Sequence, residues 1–272
     1  MSAPNPGPCK PIFVVGGCKG GVGKSMVALA LADDLLQRGE PLLLLETDTA
    51  NPDVWRMYAQ EQGVVAETLD LDQAEGWIDL ANVCDAHPER VVVLNTAARN
   101  HRGVAAHGEM LDRALPELQR RLVTFWVINT QRDSLELLED YARLLPGAAI
   151  HVVRNTFFGT PDKFDLYPTT AVAREIARRS GKILTLDRLA DRVSNELYSR
   201  RLAVATALQR GPNARLPLGS RVELERWRAA VARMFAEVLP DELDGGATPG
   251  PRAPAQEPRP ESAIAPAAGR PA

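Results

Sequence analysis

Apolar residues fall into two rhythms along this chain. Short, mostly apolar runs occur at Ile12–Val15, Leu42–Leu45, Val91–Leu94, Phe125–Ile128, Ile150–Val153 and Ile183–Leu186. Successive side chains of a strand point to opposite faces, so an apolar run of this kind suits a strand buried on both sides. Between the runs the apolar positions recur at helical spacing. Met26–Arg38 carries Val27, Ala30, Leu31 and Leu35 in that rhythm, and Gly39 offers a stop. Further helices are expected over 108–121, 134–145 and 170–180. The stretch 222–239 places Leu224, Trp227, Val231, Met234, Phe235 and Val238 on one side. Its other side mixes Glu223, Glu225 and Glu237 with Arg226 and Arg233, which fits a helix docked on a sheet better than one lying on a membrane. Alternating strands and helices imply an α/β fold: a doubly wound, mostly parallel sheet with helices on both faces.

The ends read differently. From Asp241 to Ala272 the chain is mostly Pro, Ala, Gly and charge, with Leu243 and Ile264 as its large apolar residues. Too little surface can be buried there to offset the entropy of ordering it. The expected organisation is a flexible segment 1–9, one domain over 10–239 and a disordered Pro/Ala-rich tail over 240–272. The composition, 45% hydrophobic and 25% charged over 272 residues, excludes wholesale disorder and suits one large domain. No apolar run reaches the roughly 18–20 residues of a membrane span. The first ten residues lack a secretory core, and Cys9, Cys18 and Cys84 lie far apart. Reduced thiols in a cytoplasmic protein are expected.

Chemistry concentrates in Gly16–Ser25, GGCKGGVGKS, which follows the first strand and opens the first helix. Glycines let backbone N–H groups turn inward around phosphate oxygens, and the helix N-terminus adds partial positive charge. Lys24 can reach the β and γ phosphates, and the Ser25 hydroxyl can ligate Mg²⁺. Gly20, Gly21, Val22 and Gly23 form the cradle, and the Met26 N–H follows it. The run Lys19-Gly20-Gly21-Val22-Gly23-Lys24-Ser25 resembles the deviant Walker A motif KGGxGK[ST] of the ParA/MinD ATPases. The resemblance implies a Rossmann-like, three-layer P-loop fold, ATP and Mg²⁺ as ligands, and an ATP-dependent homodimer. In that dimer Lys19 would reach the partner's phosphates, supplying charge in trans as an arginine finger does.

The likeness extends downstream. Glu46-Thr47-Asp48 resembles the acidic segment after the family's second strand, with Asp48 in the place that positions the attacking water near Mg²⁺. Val91–Leu94 followed by Asn95-Thr96-Ala97 resembles the strand and DTP segment, with Asn95 for the usual Asp and Ala97 for the usual Pro. An amide brings no negative charge, so Mg²⁺ affinity and hydrolysis are expected to suffer while phosphate binding persists. Ile150–Asn155 resembles the strand whose asparagine, here Asn155, reads the adenine edge.

Charge is unevenly spread. Residues 33–89 hold 14 Asp/Glu and two Lys/Arg, whereas 174–233 hold 14 Lys/Arg and six Asp/Glu. The net charge of −3 is therefore a cancellation. A basic region at 174–233 could neutralise DNA phosphates without reading sequence. These features imply an ATP-driven dimerising switch with slow ATPase activity, working on a cargo or partner protein in partition, conjugative transfer (TraL-like proteins share the loop) or positioning. The alternatives are a nucleotide-binding module that barely hydrolyses and a CobQ- or dethiobiotin-synthetase-like ligase.

Overall fold

The computed structural model describes residues 10–17, 20–98, 101–212 and 214–244. In chain order the elements are β1 (Ile12–Gly16), α1 (Lys24–Gln37), β2 (Leu42–Glu46), α2 (Asp53–Tyr58), β3 (Val64–Thr68), α3 (Ala74–Ala86), β4 (Val91–Asn95) and α4 (His101–Leu118). They continue with β5 (Leu122–Ile128), α5 (Asp133–Leu144), β6 (Ala149–Asn155), α6 (Ala171–Arg178), β7 (Ile183–Leu186), α7 (Asp191–Arg200), α8 (Val204–Ala207), α9 (Leu218–Ala236) and α10 (Leu239–Leu243). Seven strands form one sheet in the order β3-β2-β4-β1-β5-β6-β7. Every pairing is parallel. This is the three-layer α/β fold that the alternation implied.

The apolar runs owe their near-continuity to burial on both faces. In β1, Phe13 and Val15 face a core with α1, α2, α7, α8 and α9, while Ile12 and Val14 face one with α3, α4, α5 and α6. In β2, Leu42 and Leu44 face the first core and Leu43 and Leu45 the second. β1 lies between β4 and β5, so consecutive connections leave in opposite directions around it. In such a sheet the crevice beyond the C-terminal strand ends, where the order reverses, is the place for a ligand.

Several elements depart from the sequence reading: α2, α3, α7 and α8 were not expected, α4 begins before 108, and β3 and α10 are additions. β3, missed there, is an edge strand whose residues are only partly buried or exposed, so it lacks the long apolar run of its neighbours. Beyond residue 239, α10 continues the fold. The Glu242 carboxylate accepts from Arg121 Nη1 at 2.9 Å and lies 3.3 Å from His151 Nε2. His151 Nδ1 accepts from the Lys182 N–H, so its proton is on Nε2, facing Glu242. Burial alone would raise the Glu242 pKa, but the His151 hydrogen bond and Arg121 outweigh it and hold it below the usual value. Among the described residues no helix is long and apolar enough to cross a membrane.

Candidate functional site

The loop between β1 and α1 is built by glycine where no side chain fits. A Cβ on Gly17 would stand 2.9 Å from the Val127 carbonyl oxygen, and one on Gly23 would stand 2.2 Å from Asn155 Nδ2. Gly21 and Gly23 adopt φ of 79° and 100°, where a side chain is strained. Gly23 caps α1 without a side-chain hydrogen bond. The first N–H groups of that helix therefore open onto the loop, the geometry that receives an anion. Val22 is buried and contributes its backbone, and Lys24 is buried as well.

Asn155 ties this loop to the end of β6. Its Nδ2 donates to the Val22 carbonyl at 2.9 Å, and its Oδ1 accepts from the Phe157 N–H at 3.1 Å. The residue read as an adenine contact is thus a brace for the phosphate loop and a cap for the turn that follows. It retains a second amide hydrogen and a second lone pair for a ligand.

The segments after β2 and β4 are laced together beside the loop. The Thr47 N–H and Oγ1 both reach the Asn95 carbonyl, at 3.1 and 3.2 Å, and the Ala97 N–H donates to Thr47 Oγ1 at 2.8 Å. Thr96 Oγ1 donates to the Val15 carbonyl at 2.8 Å. Glu46, wholly buried, accepts from Asn95 Nδ2 through both oxygens, at 3.1 and 2.9 Å, and from the Asp48 N–H at 3.1 Å. Asn95 Nδ2 also lies 3.4 Å from Ser25 Oγ. Burial pushes the Glu46 pKa up to about 7, with Asp48 and Asp53 adding like charge, while the Asn95 and Asp48 hydrogen bonds pull against it. Asp48 is half-buried and caps a turn by accepting from the Asn51 N–H at 3.1 Å.

A cleft of about 590 Å³ gathers these parts. Gly20, Gly21, Gly23, Lys24, Ser25 and Met26 line it together with Asp48, Asn95 and Asn155. Its far end is closed by Phe157, Leu186, Arg188, Leu189 and Tyr198, which the sequence reading did not single out. There the Arg188 guanidinium carbon stands 5.2 Å from the centre of the half-exposed Phe157 ring. The Phe157-Phe158 pair two residues after Asn155 was the available signal. Lys19, expected to act across a dimer, lies outside the described residues, as does Cys18.

The donor set fits a nucleotide with its divalent cation. Open helix N–H groups suit phosphates, and Ser25 with nearby carboxylates suits a hard cation. Asn95 Oδ1 is buried without a hydrogen-bond partner and so is an acceptor waiting for a donor. Among the described residues no group of three His, Cys, Asp or Glu side chains could hold a metal by itself. A cation here would need the phosphates as ligands too, as Mg²⁺ commonly does.

Comparison with known proteins places this site in a family. A ParA family model, described as NUBPL iron-transfer P-loop NTPase, matches residues 9–122. Protein MobD of Acidithiobacillus ferrooxidans is 48% identical over 230 residues, spanning 85% of this chain and 98% of that protein. The chain belongs to the ParA/MinD-type family of P-loop NTPases. A protein of Borrelia burgdorferi B31 described as a plasmid partition protein, solved with AMPPNP, shares the fold at TM-score 0.50 and 16% identity. That match covers 84% of this chain and 99% of the other. The cell division ATPase MinD of Pyrococcus furiosus gives TM-score 0.48 and 14% identity, over 84% and 98% of the two chains.

Part of the basic stretch 174–233 is held in ion pairs. Arg188 pairs with Asp191, Arg192 with Glu196, Arg210 with Glu225 and Arg226 with Glu223. Arg178 and Arg179 share Glu175, and Arg228 reaches Asp33. The six acids of the stretch do not offset its 14 cations, so an excess of positive charge remains on it.

Proposed function

We propose that this protein is an ATP-binding, slowly hydrolysing switch that dimerises with ATP and releases on hydrolysis, acting on cargo in plasmid or chromosome partition, conjugative transfer or the positioning of a complex. The observation that carries this reading is the glycine cradle at the head of α1, opening onto a cleft that also holds Ser25, Asp48 and the laced 46–48 and 95–97 segments. In this reading the open N–H groups and Lys24 hold the phosphates and Ser25 holds Mg²⁺. Asp48 orients water, and Lys19 reaches the partner's nucleotide. The bound cation supplies charge neutralisation at the phosphates. Arg188 and Phe157 offer a flat face for the base at the far end.

In this reading the hydrogen bonds that tie Ser25, Asn95, Ala97 and Thr47 together would couple occupancy of the cleft to the surface around it. Sedimentation with Mg²⁺ tests this directly. ATP is expected to drive a monomer to a dimer, ADP to leave it a monomer, and Lys24→Ala to abolish the response. A monomer at saturating ATP would falsify the dimerising switch. Adding DNA of arbitrary sequence at rising salt tests whether the arginines outside the ion pairs contact phosphates.

Asn95 favours a second reading, a module that holds ATP and seldom turns it over. Tight binding with negligible phosphate release, accelerated by Asn95→Asp, would support that version.

A further inference from the structure

The strand end nearest Ser25 carries an amide, and the strand beside it carries a buried acid. Glu46 and Asn95 are register partners at the C-terminal ends of β2 and β4. The Glu46 carboxylate is wholly buried and has no ion-pair partner among the described residues; the charges acting on it, Asp48 and Asp53, are negative. An isolated buried carboxylate is costly, so its retention at the ligand end of the sheet calls for a reason. Its neighbour supplies one. The Asn95 nitrogen faces the carboxylate and donates to both its oxygens. One amide hydrogen then serves Glu46 and the second faces Ser25 Oγ, 3.4 Å away. This orientation leaves Asn95 Oδ1 as the buried acceptor without a partner.

We propose that Glu46 supplies from β2 the negative charge that Asn95 lacks on β4, and that Asn95, held in place by it, offers its unpaired oxygen to the water shell of a divalent cation brought to Ser25 by nucleotide phosphates. This rests on the nucleotide-binding reading above. Mg²⁺ keeps several of its waters, and those waters need acceptors of fixed position. Glu46 provides the charge and Asn95 Oδ1 the neutral acceptor. Asn95 also locks the carboxylate's orientation. Glu46 is thus a positioning residue, acting on the cation through its charge and through Asn95.

The test uses the full chain and a fluorescent ATP analogue, titrated with Mg²⁺ and again in EDTA. Wild type should bind more tightly with Mg²⁺. Glu46→Gln should lose about 10- to 100-fold of that magnesium-dependent gain while keeping its affinity in EDTA. Glu46→Gln/Asn95→Asp returns the charge on β4 and should recover the gain. A full magnesium gain in Glu46→Gln, or no recovery in the double variant, overturns the proposal. A melting experiment gives an independent reading. Asn95→Asp alone places two carboxylates in contact, so it should melt below wild type in EDTA and gain more from Mg²⁺ than wild type does. An equal magnesium response in the two proteins also overturns it. If wild type binds the analogue in neither buffer, the nucleotide reading fails and carries this one down. If wild type binds with a magnesium gain that Glu46→Gln shares, only this proposal fails.

Discussion

Gly23 shows how much a single position can decide. It joins the loop to α1 at φ 100°, and a methyl there would collide with the amide that braces Val22. Gly23→Ala should therefore damage both backbone and brace. The left-handed conformation alone costs about 1–2 kcal/mol for a residue with a Cβ. A lower melting temperature together with loss of ATP-analogue binding is expected; retention of both would show the loop to be adaptable. Lys24 and Ser25 were legible because their chemistry requires them at fixed offsets from the glycines. The bracing role of Asn155 was not, because its partner Val22 is 133 positions away and offers only a carbonyl.

At the scale of elements, α9 shows a core helix whose docking rests on more than its apolar side. Trp227 is buried and its Nε1 donates to the Asp187 carbonyl at 2.8 Å. Next to it Arg228 grips Asp33 of α1 with two bonds, at 2.7 and 2.9 Å. Burial raises the Asp33 pKa, while Arg228 pulls it back. Arg228→Ala would leave a buried carboxylate uncompensated, a loss of about 3–5 kcal/mol. Without Arg228 the folded pKa of Asp33 rises further above its unfolded value. A raised acid loses stability as pH rises, so urea melts should show a larger deficit at about pH 8 than at about pH 5. The apolar stripe of α9 was legible from spacing. The pairing of Arg228 with Asp33 was not, because 195 positions separate them. β3 escaped notice for a different reason: at a sheet edge, half-burial suffices and no strong pattern is required.

For the whole molecule, α10 carries the fold past residue 239. Glu242 joins the residue before β5 and the interior of β6 through Arg121 and His151. Its folded pKa lies below the ordinary value of 4.5, so its contribution is present above that value and is lost as pH falls through the folded pKa. Wild type should lose stability over that acid range, and Glu242→Gln should flatten the loss, read as urea melts at about pH 6 and about pH 3.5. An equal acid loss in the variant would mean that α10 does not depend on this carboxylate. Composition had pointed to an end at 239, since a Pro- and charge-rich segment cannot bury much surface. One helical turn with a paired carboxylate is enough to dock.

The sequence by itself determined the layered α/β architecture, because strands covered on both faces are apolar at nearly every position. It also determined the phosphate loop, because that chemistry needs glycines, a lysine and a hydroxyl in fixed local order. Only the tertiary structure decided that Asn95 lies against Glu46 and Ser25, that Asn155 braces Val22, and which arginines of 174–233 are paired. Those relations depend on strand register, side-chain direction and burial between distant segments. Local spacing carries none of them.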